Sequence, residues 1–207
     1  MSDPRLHQAR ALHSGLLSWD WPAPVCALSS ASVGGGFAEP DWLLNIGVPA
    51  SFARTDLTRY VTEVTADEGI AGDGVALLTA ANVSLGQTAT CDGVAAHATV
   101  GVSKPTWAAD AAGGFTPWAP GTINIVVQLP IGLAPGAAVN AIITATEAKT
   151  QALYEAGVPG TGTASDAVVV IWPRAQSELV PFAGPRSTWG ARIAQAVHAA
   201  VRSGIDS

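Results

Sequence analysis

Four clusters of polar residues interrupt apolar stretches of this chain, and their side chains are those that acyl-transfer chemistry uses. Ser29 and Ser30 stand just ahead of Gly34-Gly35-Gly36, and Thr122 and Asn124 belong to Gly121-Thr122-Ile123-Asn124. Thr144, Thr146, Glu147, Lys149 and Thr150 crowd one segment, and Thr161-Gly162-Thr163-Ala164-Ser165-Asp166 runs directly into an apolar stretch. A carboxylate at a strand entrance, such as Asp166, can hold loop N–H groups, or can act as a general base if its surroundings raise its pKa. The loop ahead of it presents backbone N–H donors suited to an oxyanion. Threonines cost helix propensity, so so many polar groups in the 144–150 helix point to a specific task. At about 100° per residue, Glu147 and Lys149 face nearly opposite sides, whereas Thr146, Lys149 and Thr150 share one. Either charge reads equally well as a solvated one.

Other chemical signatures are absent. The chain has no GxSxG elbow, no HExxH and no Walker A loop. Gly160-Thr161-Gly162-Thr163 follows a helical pattern and precedes a strand pattern, the reverse of a dinucleotide-binding unit. Four histidines, scattered along the chain, do not suggest a metal site. His7 and His13 read as solvated; strand alternation puts His97 beside Thr99 and Ser103, as a structural histidine or a ligand-binding one. Cys26 and Cys91 are far apart and not in CxxC spacing, and read as two buried thiols.

The elements that must position these groups follow from periodicity. Residues 1–24 read as a lead-in with a short helical stretch ending near Trp19. Val25 to Val33 reads as a strand entering the triple-glycine turn, with Trp42 to Val48 pairing back on it. Leu57 to Glu68 is expected to be a helix stopped by Gly69. Val75 to Ala80 and Val94 to Ser103 read as strands, the latter with Val94, Ala96, Ala98, Val100 and Val102 on one face, before a loop from Lys104 to Pro120. Over 122–129, Ile123, Ile125, Val127 and Leu129 form one face and Thr122, Asn124, Val126 and Gln128 the other. Val139, Ile142, Ile143, Thr146 and Leu153 follow helical spacing up to Gly157; Ala167 to Trp172 reads as a central strand; 188–203 is a last helix striped by Ile193, Ala194, Val197 and Val201. The expected fold is α+β: a single domain over 25–207, with mixed or antiparallel sheets packed against three to four helices.

Composition sets the class. Of 207 residues, 48% are hydrophobic and 13% charged, the balance of a packed globular chain rather than a disordered one. Ten basic residues against sixteen acidic ones, with no basic cluster, argue against nucleic acid as a partner. No stretch nears the roughly 18 apolar residues of a membrane span, and no signal-peptide pattern opens the chain, so a cytoplasmic protein is expected.

In order, these segments resemble one family. Ser29-Ser30-Ala31 with Gly34-Gly35, Asn45, Leu78-Thr79-Ala80-Ala81, Gly121-Thr122-Ile123-Asn124-Ile125, the 144–150 block, Thr161-Gly162-Thr163 with Asp166, and Ala183-Gly184-Pro185 with Gly190 are similar to the adenosylcobinamide amidohydrolase (CbiZ) family, from about residue 25 to the C-terminus. The chain departs from it at Ser103-Lys104 and at Ala164-Ser165. The resemblance implies hydrolysis of the amide joining aminopropanol to the corrin ring, giving adenosylcobyric acid for cobalamin salvage. The corrinoid is then the small-molecule partner and substrate, no separate cofactor or metal is expected, and a homo-oligomer is compatible with this. Asp166 or Glu147 is expected as general base, with Lys149, Asn124 and the amides near Gly162 stabilising the oxyanion. Ser29, Ser30, Gly35, Asn45, Thr79, His97, Thr122, Thr146, Thr161, Gly162 and Thr163 are expected to contact substrate. Attack by water and attack by Ser29, Ser30 or Thr79 both remain open. Thr122 after Gly121 invites comparison with hydrolases that cut their own chain before a threonine, but is expected here only to position substrate. The alternatives are a corrinoid carrier or sensor with His97 as lower cobalt ligand, and an amidase for another small amide.

Overall fold

The computed structural model describes residues 2–111 and 121–206. In chain order the strands and helices are β1 (Arg5–His7), β2 (Leu16–Trp19), β3 (Val25–Ser29), β4 (Gly36–Ala38), β5 (Trp42–Gly47), α1 (Leu57–Glu68), β6 (Gly74–Thr79), β7 (Gln87–Cys91), β8 (Val94–Val100), β9 (Ile123–Gln128), β10 (Gly132–Leu133), α2 (Pro135–Glu155), β11 (Ala167–Pro173), β12 (Leu179–Val180) and α3 (Thr188–Ile205). The α+β class and the small number of helices are as expected. Of the expected loop from Lys104 to Pro120, residues 112–120 lie outside the described part.

Two sheets stack face to face. A four-stranded sheet has the order β1-β2-β5-β6, and a six-stranded sheet the order β4-β3-β11-β9-β8-β7. Helix α1 crosses between the parallel strands β5 and β6, and α2 between the parallel strands β9 and β11. Three cores separate the resulting layers. Leu16, Leu44 and Ile46 meet Tyr60, Val61 and Val64 of α1. Leu17, Trp19, Leu43, Val75 and Leu77 meet Val25, Ala27, Val126, Val169 and Ile171 between the sheets. Ile123, Ile125, Val127, Val168 and Val170 meet the alanines of α2 and the Ile193–Val201 stripe of α3. The order of layers is therefore α, β, β, α, and the central strands β5, β8, β9 and β11 are buried on both faces.

That double burial explains where pattern reading fails. The first strands lie where a lead-in helix was expected. Leu16 packs toward α1 while Leu17 and Trp19 pack between the sheets, so β2 has no alternating signature. Strand β5 does not pair back on β3; it joins β2 and β6, and the hairpin partner of β3 is the short β4. The triple-glycine turn serves another purpose. Val33 bridges Ala76 on the edge of the other sheet, and Gly34 at φ +69° comes so close that a Cβ would lie 2.1 Å from the Gly74 carbonyl oxygen.

Helix α1 has its expected bounds and ends at Gly69 in a left-handed cap. Helix α2 presents a different face from the one expected. Val139 and Ile143 are each 48% exposed, and Thr146 is exposed; Ala137, Ala138, Ala141, Ala145, Ala148 and Ala152 are buried, with Leu153. Small side chains let the helix lie close against the sheet and α3, which β-branched ones would prevent. His7 and His13 are not solvated. They and Arg10 converge on the Glu68 carboxylate at 2.8, 3.1 and 2.8 Å, tying the N-terminal strand to α1. Burial alone would raise the Glu68 pKa, but hydrogen bonds from His13 and His7 and the Arg10 charge outweigh it and hold it below the usual range. Cys26 and Cys91 are free and half-buried rather than buried. Among the described residues no helix is long and apolar enough to cross a membrane.

His97 belongs to the layer between the sheets. Its ring meets Trp19 edge-on at 5.4 Å, its Nδ1 lies 2.9 Å from the Thr88 hydroxyl, and its Nε2 is buried without a partner. Burial pushes its pKa down to about 4 from the ordinary 6.5, against a smaller opposing effect of Asp3. The native ring thus stays neutral while the unfolded chain takes up a proton near 6.5. Stability from this group is whole above that pH and is lost as pH falls toward 4. Urea denaturation between pH 7 and 4 should show a loss from this residue of up to about 3 kcal/mol. His97→Gln should flatten that part of the profile; an unchanged slope would show that the ring is not responsible.

Candidate active site

Parity along the inner strands decides which groups meet. On β9, Ile123 and Ile125 face the helices, so Thr122 and Asn124 face the opposite sheet. On β8, Ala96 and Ala98 face the helices, so His97 and Thr99 also point between the sheets. On β5, Asn45 shares the side of Leu43. The face read as the polar side of a strand is thus buried: Asn45, Thr99 and Asn124 are each 1% exposed. They hydrogen-bond one another across the two sheets. Asn45 donates through Nδ2 to the Thr99 hydroxyl at 3.0 Å, and Asn124 donates through Nδ2 to Asn45 Oδ1 at 2.8 Å and to the Leu78 carbonyl at 3.0 Å. The Leu78 carbonyl can only accept, which fixes the orientation of the Asn124 amide. Its Oδ1 is left buried without a donor.

A cavity of about 330 Å³ opens beside this network. Its polar end is made by Thr79, Thr122, Asn124 and Ser165, and its mouth by the loop between β5 and α1, including Val48, Pro49, Phe52 and Arg54. The Thr122 and Ser165 hydroxyls lie 2.7 Å apart, and Ser165 donates to the Gly121 carbonyl at 3.2 Å. Arg54 is held at the rim by Asp56 at 2.6 Å and by Glu63 at 2.5 Å.

Lys149 and Asp166 form the second assembly. On β11, Ala167 and Val169 face the other sheet and Val168 and Val170 the helices. Asp166 therefore points toward α2, where Lys149 Nζ meets its Oδ2 at 2.6 Å. The carboxylate also accepts from Ile123 N at 2.9 Å and Thr163 N at 3.1 Å. The Thr163 hydroxyl sits between Asp166 Oδ1, at 2.5 Å, and the Gly121 carbonyl, at 2.6 Å, and can donate to either. Gly162 is where it is for lack of room: a Cβ would come 2.4 Å from Asp166 Oδ2 and 2.6 Å from Lys149 Nζ. The pair lies behind the β11 wall of the cavity, whose lining includes Ser165 and Ala167 but neither Lys149 nor Asp166.

The remaining expected residues separate by place. Asn45 holds Asn124 from the opposite sheet. Thr79 lines the cavity while its hydroxyl accepts from Ala81 N at 3.0 Å. Ser29 and Ser30 accept from Ala31 N and Val168 N, at 2.9 and 3.0 Å, and so shape the turn after β3; Gly35 packs against the Ala31 carbonyl in that turn. Thr161 donates its amide to the Thr106 carbonyl at 2.8 Å and accepts from Ala108 N at 3.0 Å through its hydroxyl. Glu147 and Thr146 lie on the exposed face of α2, away from the cavity, and the Thr146 hydroxyl donates back to the Ile142 carbonyl. His97 is 6% exposed and abuts Gly86, so a corrin cobalt cannot reach it. Ser165 also lines the cavity; the sequence places it in the Thr161–Asp166 cluster and at a departure from the family pattern, without a role of its own. Its alternation with Ala167 and Val169 was the available signal. Among the described residues no group of three His, Cys, Asp or Glu could hold a metal ion.

Removing one member of the Lys149–Asp166 pair strands the other charge, which costs about 3 kcal/mol for a buried pair. Lys149→Met should lower stability by that amount in urea denaturation. Glu147→Gln should change it by less than about 0.5 kcal/mol. Equal effects would mean that the pair does not anchor the loop.

Comparison with known proteins agrees with the sequence motifs. The family model described as adenosylcobinamide amidohydrolase matches residues 2–207, including the N-terminal strands, which the motifs did not reach. The chain is 32% identical over 185 residues to an adenosylcobinamide amidohydrolase of Methanosarcina mazei, covering 86% of this chain and 88% of the relative. It is 36% identical over 204 residues to one of Halobacterium salinarum, covering 95% and 86%. The crystal structure of the PH0078 protein from Pyrococcus horikoshii OT3 aligns at a TM-score of 0.47 and 12% identity, covering 92% of this chain and 77% of that one. The chain belongs to the adenosylcobinamide amidohydrolase family.

Proposed function

We propose that this protein hydrolyses the amide bond between aminopropanol and the corrin side chain of adenosylcobinamide, releasing adenosylcobyric acid in corrinoid salvage. The observation that carries this reading is the pair of relatives of that name, each matched over most of both chains. The geometry supports it in three ways. A cavity of about 330 Å³ is too small for a corrin ring with its axial adenosyl group, but it can take one side chain while the macrocycle rests outside, against the loop that carries Pro49 and Phe52. Asn124 Oδ1, a buried acceptor without a donor, suits the N–H of an incoming amide. The Thr122–Ser165 hydroxyl pair stands at the same polar end, where the carbonyl carbon of that amide must be attacked.

Roles follow from position. Thr122, Ser165 and Asn124 touch the substrate amide. Asn45 and Thr99 hold Asn124, and Asp166 with Lys149 holds the strand that carries Thr122, so these four are positioning residues. Hydrolysis of an amide is downhill in water and needs no ATP. Purified protein incubated with adenosylcobinamide should release aminopropanol and adenosylcobyric acid, read by mass spectrometry, without nucleotide. No release across a broad pH range would overturn the reading.

Asn124 offers a sharper test. Asn124→Leu removes the acceptor and leaves Asn45 Oδ1 without its donor, and should cut kcat/KM by roughly 10²-fold or more. Glu147→Gln, on the outer face of α2, should stay within about twofold of wild type. A wild-type rate in Asn124→Leu would place the reaction elsewhere.

A further inference from the structure

We infer that the chain cuts itself between Gly121 and Thr122, and that the freed Thr122, with its own α-amine, is the nucleophile of the amide hydrolysis. The second half rests on the amidohydrolase reading; the first does not. The sequence alone assigned Thr122 a positioning role. The geometry around the bond assigns it more.

The Gly121 carbonyl oxygen is faced by two hydroxyls, Thr163 at 2.6 Å and Ser165 at 3.2 Å. The Thr122 hydroxyl lies 2.7 Å from that same Ser165 oxygen. With Ser165 donating to the carbonyl, Thr122 donates to Ser165. A proton path then runs from the candidate nucleophile to the carbonyl oxygen that it would attack. The C-terminal side of the bond is clamped: the Thr122 carbonyl accepts from Gly101 N at 2.9 Å, and the next amide, Ile123 N, donates to Asp166 at 2.9 Å. Space is available on both sides as well: Thr122 lines the cavity of about 330 Å³, and Gly121 lines a neighbouring one of about 240 Å³ with Gly101 and Ser103.

The chemistry balances without a co-reactant other than water. Thr122 Oγ adds to the Gly121 carbonyl carbon, its proton passing through Ser165 to the carbonyl oxygen, and a five-membered ring forms. The ring collapses with cleavage of the C–N bond. The proton returns to the nitrogen, leaving an ester between the Gly121 acyl group and Thr122 Oγ. Water hydrolyses the ester to a Gly121 carboxylate and a free Thr122 hydroxyl beside its new amine. In turnover that amine takes the hydroxyl proton as the hydroxyl attacks the substrate carbonyl and passes it to the nitrogen of the leaving aminopropanol as the C–N bond breaks; water then hydrolyses the Thr122 ester to release the corrinoid carboxylate and restore the free hydroxyl. Thr163 and Ser165, which polarised the Gly121 carbonyl, face the same developing negative charge.

The test is intact-mass measurement of full-length purified protein under denaturing conditions, with N-terminal sequencing of any fragment. Wild type should give two chains, residues 1–121 and 122–207, the second beginning Thr-Ile-Asn. Thr122→Ser should still cut, Thr122→Ala should remain one chain with an unchanged circular dichroism spectrum, and Ser165→Ala should slow the cut roughly 10²-fold. Should Thr122→Ala fail to fold, the Thr122→Ser and Ser165→Ala pair carries the comparison. Wild type that stays one chain overturns the proposal whether or not it hydrolyses adenosylcobinamide. A cut at another bond, or one that persists in Thr122→Ala, also overturns it. A cut protein without corrinoid hydrolysis leaves self-cleavage standing and overturns the amidohydrolase reading instead.

Discussion

The Asp166 carboxylate accepts hydrogen bonds from Lys149 of α2, from the Ile123 amide at the head of β9, and from Thr163 in the loop that enters β11. Three parts of the chain that are distant in sequence are thus fixed to one group. A carboxylate so placed, its side chain 11% exposed, is tolerable because a cation and two amides compensate it. Its consequence is positional. The amide after Thr122 is held and the Gly121 carbonyl is met by Thr163 and Ser165, so the peptides on both sides of Thr122 are tied down while its hydroxyl meets Ser165.

The second constraint is the division of the space between the sheets. At one end Trp19, Val25, Leu43, Val126 and Ile171 form an apolar core. At the other, Asn45, Thr99 and Asn124 exchange hydrogen bonds and a cavity replaces close packing. The apolar end supplies the stabilisation that lets the polar end keep an unsatisfied acceptor. A buried amide oxygen without a donor costs about 1–3 kcal/mol. A site that binds an amide recovers that cost when the substrate N–H arrives. The same logic separates Asn124 from His97, whose orphaned Nε2 faces protein on all sides and has nothing to gain from a ligand.

Much of this was written in local pattern. The helix over Leu57–Glu68 with its glycine stop, the central strand over Ala167–Trp172, and the two faces of the strand after Thr122 are all read from spacing, because each depends on backbone preferences and on the period of one element. The polar clusters too were visible as interruptions of apolar surroundings, and their order along the chain carried the family. The stripe on α2 was misread, apart from Leu153, because spacing weighs large apolar residues, while the contact with the sheet and α3 is made mostly by alanines.

Tertiary structure decided the rest. Which sheet β5 joins, that β1 and β2 exist, and that a polar strand face lies buried between two sheets depend on partners far along the chain, and a strand buried on both faces carries no period to reveal them. The division of labour among the polar groups is of the same kind. Asp166 and Ser165 are neighbours in sequence, yet alternation sends one to the helix side to hold Lys149 and the other into the cavity to meet Thr122. The sequence by itself determined the chemistry available and the family to which it belongs. Which of those groups face an open space, and which stand behind its wall, was determined only when the two sheets closed on each other, because burial and direction are properties of the packed layers rather than of any one strand.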